Sequence, residues 1–300
     1  MRCKRTIGRR TGLHSTMSEA ATIVTRATIL SELNESTESL HTKGLDADTL
    51  AAIYNDYSSR LPALTGIAEQ VVQTLRKAEG VHALTHRLKD PLHLLQKIIR
   101  KKKEYPSRDL HPGNYLDYIN DLIGIRVLHL YKADWQTIGN YIEQVWPLKR
   151  QPYAYIPEHS AAAIVQLYKN SNCKLVYHPA GYQAVHYVIA TQPGKQRYYA
   201  EIQLRTLLEE AWSEIDHRFR YPDHEHSALT DALLRILHSF TTNADETITQ
   251  IKALADELNA STSTSQSRTK TVAQLRKYIS TLRIPETEKQ QLYRSIDKIL

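Results

Sequence analysis

The sequence predicts an α/β fold in which a mixed β-sheet is flanked by helices and followed by a C-terminal helical extension. Three observations support this prediction. Strand-like alternation and helical spacing of apolar residues follow one another between residues 46 and 228. Some predicted strands are separated by a helix and others by a hairpin-length gap, which indicates both parallel and antiparallel pairs. After Tyr221 and Pro222 only helical patterns remain.

Two helices are predicted ahead of the sheet. Apolar residues at helical spacing, from Leu50 to Leu75, indicate a helix over about 46–78. Asp90 and Pro91 suit the N-cap and the first position of a second helix, whose leucines and isoleucines would face the core.

The sheet is predicted from four short segments rich in β-branched and aromatic residues. A helix with apolar residues on one face separates the first segment from the second. The predicted strands are 124–131, 173–177, 182–190 and 197–205, and the predicted helix is 135–146.

The rest of the chain is predicted to be helical. One helix starts around Leu233 and extends to about Leu258, and a final pair of helices over 270–300 is broken near Pro285. A Ser/Thr-rich linker is expected over 261–267. These boundaries predict three parts, namely a basic and flexible segment 1–45, a central domain 46–228 and a helical region 229–300.

Composition limits the cellular setting. The 300 residues are 41% hydrophobic and 24% charged, as in soluble globular proteins, and the net charge of +7 favours an anionic partner. Cys3 and Cys173 do not suggest a disulfide framework, and no apolar run is long enough to span a bilayer, so we expect a cytoplasmic protein with no membrane partner. The basic first ten residues are interpreted as a flexible tail, or as an upstream start with the working protein beginning near Met17, rather than as a transit segment.

The segment 200–217 places two polar clusters on adjoining elements. Glu201, Gln203 and Arg205 alternate along a predicted strand and therefore share one face. This pattern alone indicates either one site or two solvated faces. The second cluster, at helical spacing, is Glu210, Glu214 and His217.

A nucleotide site in this chain would depend on charge and metal. The chain has ten glycines and neither a Walker A sequence nor G-x-G-x-x-G. Asp121 and Glu201 lie within apolar strand sequence, and two such carboxylates on neighbouring strands would make a Mg²⁺ site. The candidate phosphate-binding cations are Arg87, Lys89, Lys97 and Arg126.

Four motifs resemble, in the same order, the synthetase domain of the RelA/SpoT family, bacterial enzymes that make the alarmone (p)ppGpp. The resemblance covers roughly residues 46 to 225. The last motif is the most specific, because it joins E-I-Q-x-R-T on a strand to W-x-E-I-x-H on a helix. The motifs are HRLKDPLHLLQK (86–97), DLIGIRV (121–127), GYQAVH (181–186) and AEIQLRTLLEEAWSEIDHRFRYP (200–222).

The resemblance implies a nucleotidyltransferase-like core and a defined reaction. The β,γ-pyrophosphate of ATP would move to the 3′-hydroxyl of GDP or GTP, with release of AMP. Asp121 and Glu201 would bind Mg²⁺, and Glu201 would also take the proton from the attacking hydroxyl. Because the family's HD hydrolase motif is absent from the sequence, the chain resembles a single-domain small alarmone synthetase. The implied ATP-binding cations are Arg87, Lys89, Lys97 and Arg126.

The resemblance also implies an acceptor site. Tyr182 matches the tyrosine that stacks on the acceptor base, and His186 lies on the same strand face, within reach of the acceptor. Gln203 and Arg205 flank the catalytic Glu201. The implied supporting residues are Glu210, Glu214 and His217.

The acceptor loop departs from the family pattern. Many members have K-x-N-G-Y where this chain has HPAGY (178–182), so that His178 replaces the Lys and Ala180 the Asn. The lost cation and amide weaken the expectation of a guanosine acceptor more than that of ATP as donor.

Three interpretations therefore stay open. The first is alarmone synthesis, and the second is a toxic small synthetase that transfers pyrophosphate to the 3′ end of tRNA, or to adenosine nucleotides, and blocks translation. The third is an inactive RNA-binding regulatory module, which is disfavoured because both carboxylates and all four cations are present. The helices of the C-terminal region leave three roles open: a homo-oligomer interface, a cover for the sheet, or a docking site for a neutralising antitoxin.

Overall fold

The computed structural model describes residues 23–158, 160–220, 228–259, 265–282 and 284–297. The chain divides into two compact units. The first comprises the described residues up to Arg60 together with Pro91–Pro112, and the second comprises Leu61–Asp90 and the described residues from Gly113 onward. The predicted domain boundaries after residues 45 and 228 stay a prediction.

The first unit is helical. It contains α1 (Arg26–Leu33), α2 (Thr37–Thr42), the first part of α3 (Ala47–Leu75) and α4 (Pro91–Glu104). The hydroxyl of Ser36 caps α2 by accepting a hydrogen bond from the Ser39 amide at 3.1 Å. Pro91 opens α4, as predicted, because proline lacks only an amide hydrogen that the first turn does not use.

The second unit is built on a six-stranded sheet in the order β1-β2-β6-β5-β3-β4. The pairs β2/β6 and β3/β4 are parallel and the other pairs are antiparallel, which confirms the predicted mixed sheet. The strands are β1 (Ala83–Leu88), β2 (Ile123–His129), β3 (Tyr153–Pro157), β4 (Lys174–His178), β5 (Ala184–Thr191) and β6 (Tyr198–Thr206).

The predicted elements are present, and six others were not predicted. Three of these are the short helices α1, α2 and Tyr115–Tyr118, and the other three are two strands and a helix of the second unit. The edge strand β1 is half exposed and has the sequence ALTHRL, which shows no apolar alternation. The strand β3 alternates tyrosine with small or apolar residues over only five positions. Helix α7 (Ala162–Asn170) buries none of its residues, so its apolar side chains do not form a core stripe.

The alternation of β6 separates the core from a polar face. Ala200, Ile202 and Leu204 are buried on one side of the strand, together with the neighbouring residues Ile123 and Ile125 of β2. Glu201, Gln203 and Arg205 therefore point to the other side. Helix α8 (Leu207–Arg220) follows β6 without a loop and brings its own polar residues to that side.

The remaining helices are α5 (Tyr115–Tyr118), α6 (Asp134–Val145), α9 (Ala228–Asn259), α10 (Ser265–Thr281) and α11 (Glu286–Asp297). Helix α9 packs against α8 and α10, and Val272, Ile279 and Ile296 form a small core between α10 and α11. Within the predicted linker, 261–264 lie outside the described residues and 265–267 are the first turn of α10. Among the described helices, none has a segment both long and apolar enough to cross a membrane.

Candidate active site

A polar cleft of ≈ 340 Å³ opens on the face of the sheet that carries Glu201. Strand pairing explains why the predicted residues meet there, because Arg87, Gly124 and Glu201 stand abreast on three neighbouring strands. Gly124 contributes no side chain, which leaves room between the arginine and the carboxylate. The predicted residues that line this cleft are Arg87, Asp121, Arg126, Glu201, Gln203, Glu210 and Glu214.

The two predicted metal-binding carboxylates lie in this cleft, each beside a donor group. The Nζ of Lys89 lies 2.9 Å from Oδ2 of Asp121. Glu201 accepts a hydrogen bond from Nε2 of Gln203 at 2.8 Å, and its Oε1 lies 3.6 Å from Nδ1 of His186. Both carboxylate side chains keep about a fifth of their surface exposed, so both are partly desolvated and reachable from the cleft.

A chain of ion pairs joins α8 to the sheet. Arg126 on β2 binds Glu210 at 2.9 Å and Glu214 at 2.5 Å. The other oxygen of Glu210 accepts from Arg205 on β6 at 2.8 Å. Arg205 also donates to the amide oxygen of Gln203, and Gln203 in turn donates to Glu201. The side chain of Arg205 is only 4% exposed, so it fixes the positions of both the glutamine and α8.

Aromatic side chains lie beside Glu201 at the other end of the site, on β3, β4, β5 and the residues just before β5. The hydroxyl of Tyr182 accepts a hydrogen bond from Nη2 of Arg205 at 2.6 Å and lies 3.0 Å from Nε2 of His186. The ring of Tyr155 packs 4.5 Å from the imidazole of His186 and 5.7 Å from Tyr182. The imidazole of His178, the last residue of β4, lies 5.5 Å from the Tyr182 ring.

The Tyr182 hydroxyl stays protonated in this aromatic cluster. Burial raises the pKa of Tyr182, and the nearby Arg205 opposes that rise without cancelling it. The hydroxyl therefore keeps a hydrogen that it can share with Nε2 of His186, 3.0 Å away. The other ring nitrogen of His186, Nδ1, faces Oε1 of Glu201.

A buried glutamate supports the loop that leads into β5. Oε1 of Glu209, on the first turn of α8, accepts a hydrogen bond from the backbone amide of Gln183 at 2.9 Å. Glu209 is 3% exposed, and this burial raises its pKa to about 7. Since Gln183 follows Tyr182 directly, this contact fixes the backbone on which the aromatic ring stands.

Comparison with protein families assigns the sheet and α8 to a known group. The family described as "Region found in RelA / SpoT proteins" matches residues 86–226. That range contains the last residues of β1, the strands β2 to β6, α8 and all the cleft-lining residues except Thr85. Residues 86–226 belong to the RelA/SpoT family. The resemblance expected from the four motifs is thereby confirmed, and it supports a pyrophosphotransferase.

Solved structures similar to this chain include two of a small alarmone synthetase and one of a GTP pyrophosphokinase family protein. The small alarmone synthetase 1 from Bacillus subtilis is 18% identical, with a TM-score of 0.46 over 67% of this chain and 95% of that chain. The same protein bound to its product pppGpp is 17% identical, with a TM-score of 0.44 over 68% of this chain and 94% of that chain. A GTP pyrophosphokinase family protein from Streptococcus pneumoniae is 20% identical, with a TM-score of 0.40 over 68% of this chain and 91% of that chain. These TM-scores are below 0.5, so the assignment rests on the family match alone. No curated protein matches the chain.

The oxygen ligands of the cleft fit the Mg²⁺ that the RelA/SpoT resemblance implies. Among the residues that the structure describes, no group of three or more His, Cys, Asp or Glu is placed to hold a metal ion. Asp121 and Glu201 nevertheless offer two carboxylates in one cleft. Mg²⁺ commonly takes one or two carboxylates and obtains its remaining ligands from water and substrate phosphates. The pair therefore suits an ion that arrives with a nucleotide.

Two further predicted site residues lie on helices. Lys97 is half-buried on α4 and belongs to the first compact unit, so its proposed contact with ATP stays a prediction. His217 is exposed on α8 and does not line the cleft, unlike Glu210 and Glu214 of the same helix face.

The sequence did not identify three residues that complete this RelA/SpoT site. Tyr155 belongs to a strand that was not predicted, although the alternation of Tyr153 and Tyr155 was visible. Glu209 has no distinctive sequence pattern around it. Only its burial and its contact with the Gln183 amide in the folded protein set it apart. Lys149 donates to Oδ1 of Asn120 at 2.7 Å and to the carbonyl oxygen of Asp117, which positions the turn ahead of Asp121.

Proposed function

We propose that this protein transfers the β,γ-pyrophosphate of ATP to the 3′-hydroxyl of GDP or GTP, producing (p)ppGpp and AMP. One observation supports this most strongly. Asp121 and Glu201 lie in a single cleft beside the cations Lys89, Arg87 and Arg126, and this arrangement falls inside the RelA/SpoT match. A transfer of this kind requires chiefly alignment of two nucleotides and stabilisation of negative charge on the moving phosphates.

ATP would bind at the end of the cleft that holds the cations. Arg87 projects from β1 and Lys89 follows the same strand, while Arg126 lies on the adjacent β2. Arg126 is already paired with two glutamates, so it would bind phosphate without a large change in its own position. A bound Mg²⁺, held by Asp121 and Glu201, would supply a positive charge that neutralises the phosphates.

The guanosine acceptor would bind at the aromatic end. The ring of Tyr182 offers a stacking surface for the base, and the hydrogen bonds of its hydroxyl keep that ring in one orientation. Glu201 lies between this end and the cations, where it would accept the proton of the 3′-hydroxyl. Gln203 and the imidazole of His186, whose Nδ1 lies 3.6 Å from Oε1 of Glu201, would orient the carboxylate of Glu201.

The acceptor loop gives the weakest support for a guanosine nucleotide. His178 and Ala180 replace the cation and the amide of the family pattern. The imidazole of His178 packs against Tyr182, so it can contribute a ring edge to the acceptor site in place of an ammonium group. Acceptor identity is accordingly the first quantity to measure.

The test is a transfer assay with purified protein, Mg²⁺ and ATP labelled in its terminal phosphate. GDP, GTP, ATP and deacylated tRNA are offered separately as acceptors. We expect label on GDP or GTP, and we expect Glu201→Gln to lower the rate by at least about 100-fold, the smallest effect usual for a lost general base. Glu69→Gln, an exposed glutamate on α3, is the matched control and should leave the rate unchanged.

Each other result has a definite meaning. Label on tRNA alone would replace the proposed acceptor with the 3′ end of tRNA. Label in an adenosine nucleotide that carries pyrophosphate on its 3′-hydroxyl would indicate an adenosine alarmone. Equal rates for wild type and Glu201→Gln with every acceptor would refute the enzymatic proposal.

A further inference from the structure

A second cavity, of ≈ 280 Å³, lies on the opposite face of β6 from the polar cleft. It is bounded by Leu204 and Thr206 of β6, which alternate with the cleft residues and therefore point away from them. Its walls are largely apolar and aromatic, with Trp135 from α6 and Tyr168 from α7, whose rings lie 4.9 Å apart. Neither the proposed substrates nor the proposed transfer step uses this space.

One carboxylate in this cavity is buried and only half satisfied. Asp245 of α9 is 5% exposed, and its Oδ2 accepts a hydrogen bond from the hydroxyl of Thr206 at 2.6 Å. Its Oδ1 has no hydrogen-bond partner among the described residues. A buried oxygen of this kind favours a ligand that can donate a hydrogen bond to it.

The charged side chains that line the cavity determine whether it favours a positive or a negative ligand. Glu209 and Glu246 also line it, and the two cations of the wall are Lys132 and Arg205. The Nζ of Lys132 lies 3.8 Å from Glu246. The guanidinium of Arg205 is directed into the network of the polar cleft. Carboxylates therefore outnumber available cations, which disfavours phosphates and other anions and favours a cation.

We propose that this cavity binds a small organic cation, a primary or secondary amine attached to an aromatic or branched apolar body, which donates a hydrogen bond to Oδ1 of Asp245. Its apolar body would contact Leu204 and the rings of Trp135 and Tyr168, and its charge would gain from those ring faces. The cavity has the volume of about nine liquid waters, which limits the ligand to roughly one ring with a short amine arm.

The position of Asp245 connects this cavity to the polar cleft. The hydroxyl of Thr206, which donates to Asp245, also accepts a hydrogen bond from the Glu209 amide at 3.1 Å and so caps α8. The same glutamate supports Gln183, next to Tyr182. A ligand that engages Asp245 would thus act on the helix and the loop that form the cleft, a consequence that rests on the proposed function.

Binding can be tested on the full chain without any transfer assay. The probe is benzylammonium, and its comparators are benzyl alcohol and benzoate, which have the same ring and nearly the same size. Ligand-detected NMR titrations should give a Kd of about 1 mM for benzylammonium, as expected for about eight heavy atoms. Benzoate should bind at least about 10-fold more weakly, because the carboxylates repel it.

Three variants establish where the probe binds. Asp245→Asn should weaken benzylammonium at least about 10-fold, while Asp256→Asn, the same change on an exposed carboxylate of α9, should not. Thr249→Met adds volume to the cavity wall and should abolish binding without altering charge. Melting curves verify that each variant is folded.

The outcomes separate this proposal from the proposed function. Absence of benzylammonium binding up to about 20 mM, equal binding of benzoate, or unchanged affinity in both Asp245→Asn and folded Thr249→Met would overturn the cation site. None of these results depends on whether the polar cleft transfers pyrophosphate. Conversely, an inactive protein that binds benzylammonium through Asp245 would retain the cation site and refute the transfer.

Discussion

Glu209 offers a direct test of how burial affects this fold. The side chain is 3% exposed, and it accepts a hydrogen bond from the Gln183 amide while lying 3.9 Å from Nε2 of His238. Replacement by glutamine keeps the shape and the oxygen acceptor but removes the titratable proton. The variant Glu209→Gln therefore isolates the pH dependence that this one carboxyl contributes.

The size of the effect follows from the pKa. Burial raises the pKa of Glu209 from its ordinary value of 4.5 to about 7, and Arg205 and the Gln183 amide only partly oppose that rise. A raised pKa means that the folded state holds the proton more tightly than the unfolded chain does. The resulting stabilisation is complete below about pH 4.5 and is lost as the pH rises through about 7. Its order of magnitude is about 3 kcal/mol, since each tenfold change in proton affinity corresponds to about 1.4 kcal/mol.

Urea unfolding of wild type and Glu209→Gln at several pH values measures this quantity. The free energy of unfolding of wild type, relative to that of the variant, should fall by about 3 kcal/mol between pH 4.5 and pH 8. Other groups titrate equally in both proteins and cancel in the difference. A flat difference, or one that grows with pH, would refute the inference that burial controls this carboxyl. Glu69→Gln, the same change on the exposed face of α3, is the matched control.

Three other substitutions test packing around the site. Gly139→Ala places a methyl group against the Tyr187 hydroxyl, so unfolding by urea should show a loss of about 1–3 kcal/mol, and combining it with Tyr187→Phe should recover part of that loss. Gly181 has φ +82°, so Gly181→Ala should lower the free energy of unfolding by at least about 1 kcal/mol in the same assay; an unchanged value would contradict the positive φ. Arg205→Lys cannot reproduce the contacts of the buried guanidinium and should destabilise the protein by about 2–4 kcal/mol, whereas Arg218→Lys, on an exposed side chain, should change stability by less than about 0.5 kcal/mol.

Much of the sheet could be predicted because its strands have strong local patterns. The alternation in 198–206 separates buried Ile202 and Leu204 from Glu201 and Gln203, and the structure shows that separation. The strand β1 has no such pattern, because an edge strand beside a polar cleft is exposed over much of its length. The position of β1 is therefore evident only from its pairing with β2, in which Arg87 lies opposite Gly124.

The partners of Arg205 could not be predicted from the local sequence, for a different reason. Sequence placed Gln203 and Arg205 on one face of a strand and Glu210 on one face of a helix. Which carboxylate an arginine selects depends on how the helix leaves the strand, and α8 leaves β6 without an intervening residue. That direct junction brings Glu210 between Arg205 and Arg126, so one carboxylate binds both cations. The two polar clusters of the sequence, apart from His217, thus form one continuous arrangement.

Glu209 shows the same limit most clearly. The sequence TLLE at 206–209 matches a capping box, in which the glutamate would turn back toward the backbone of its own N-cap residue. The structure retains half of that motif, since the Thr206 hydroxyl accepts from the Glu209 amide. The glutamate side chain instead binds the Gln183 amide, on the approach to a strand that pairs antiparallel with β6. The Gln183 amide binds the Glu209 carboxylate in preference to the amide of the N-cap residue. Leaving a buried amide without a partner costs more free energy than leaving a helix end partly solvated. Local sequence therefore fixes where α8 begins, whereas the register of the sheet determines what its first glutamate binds.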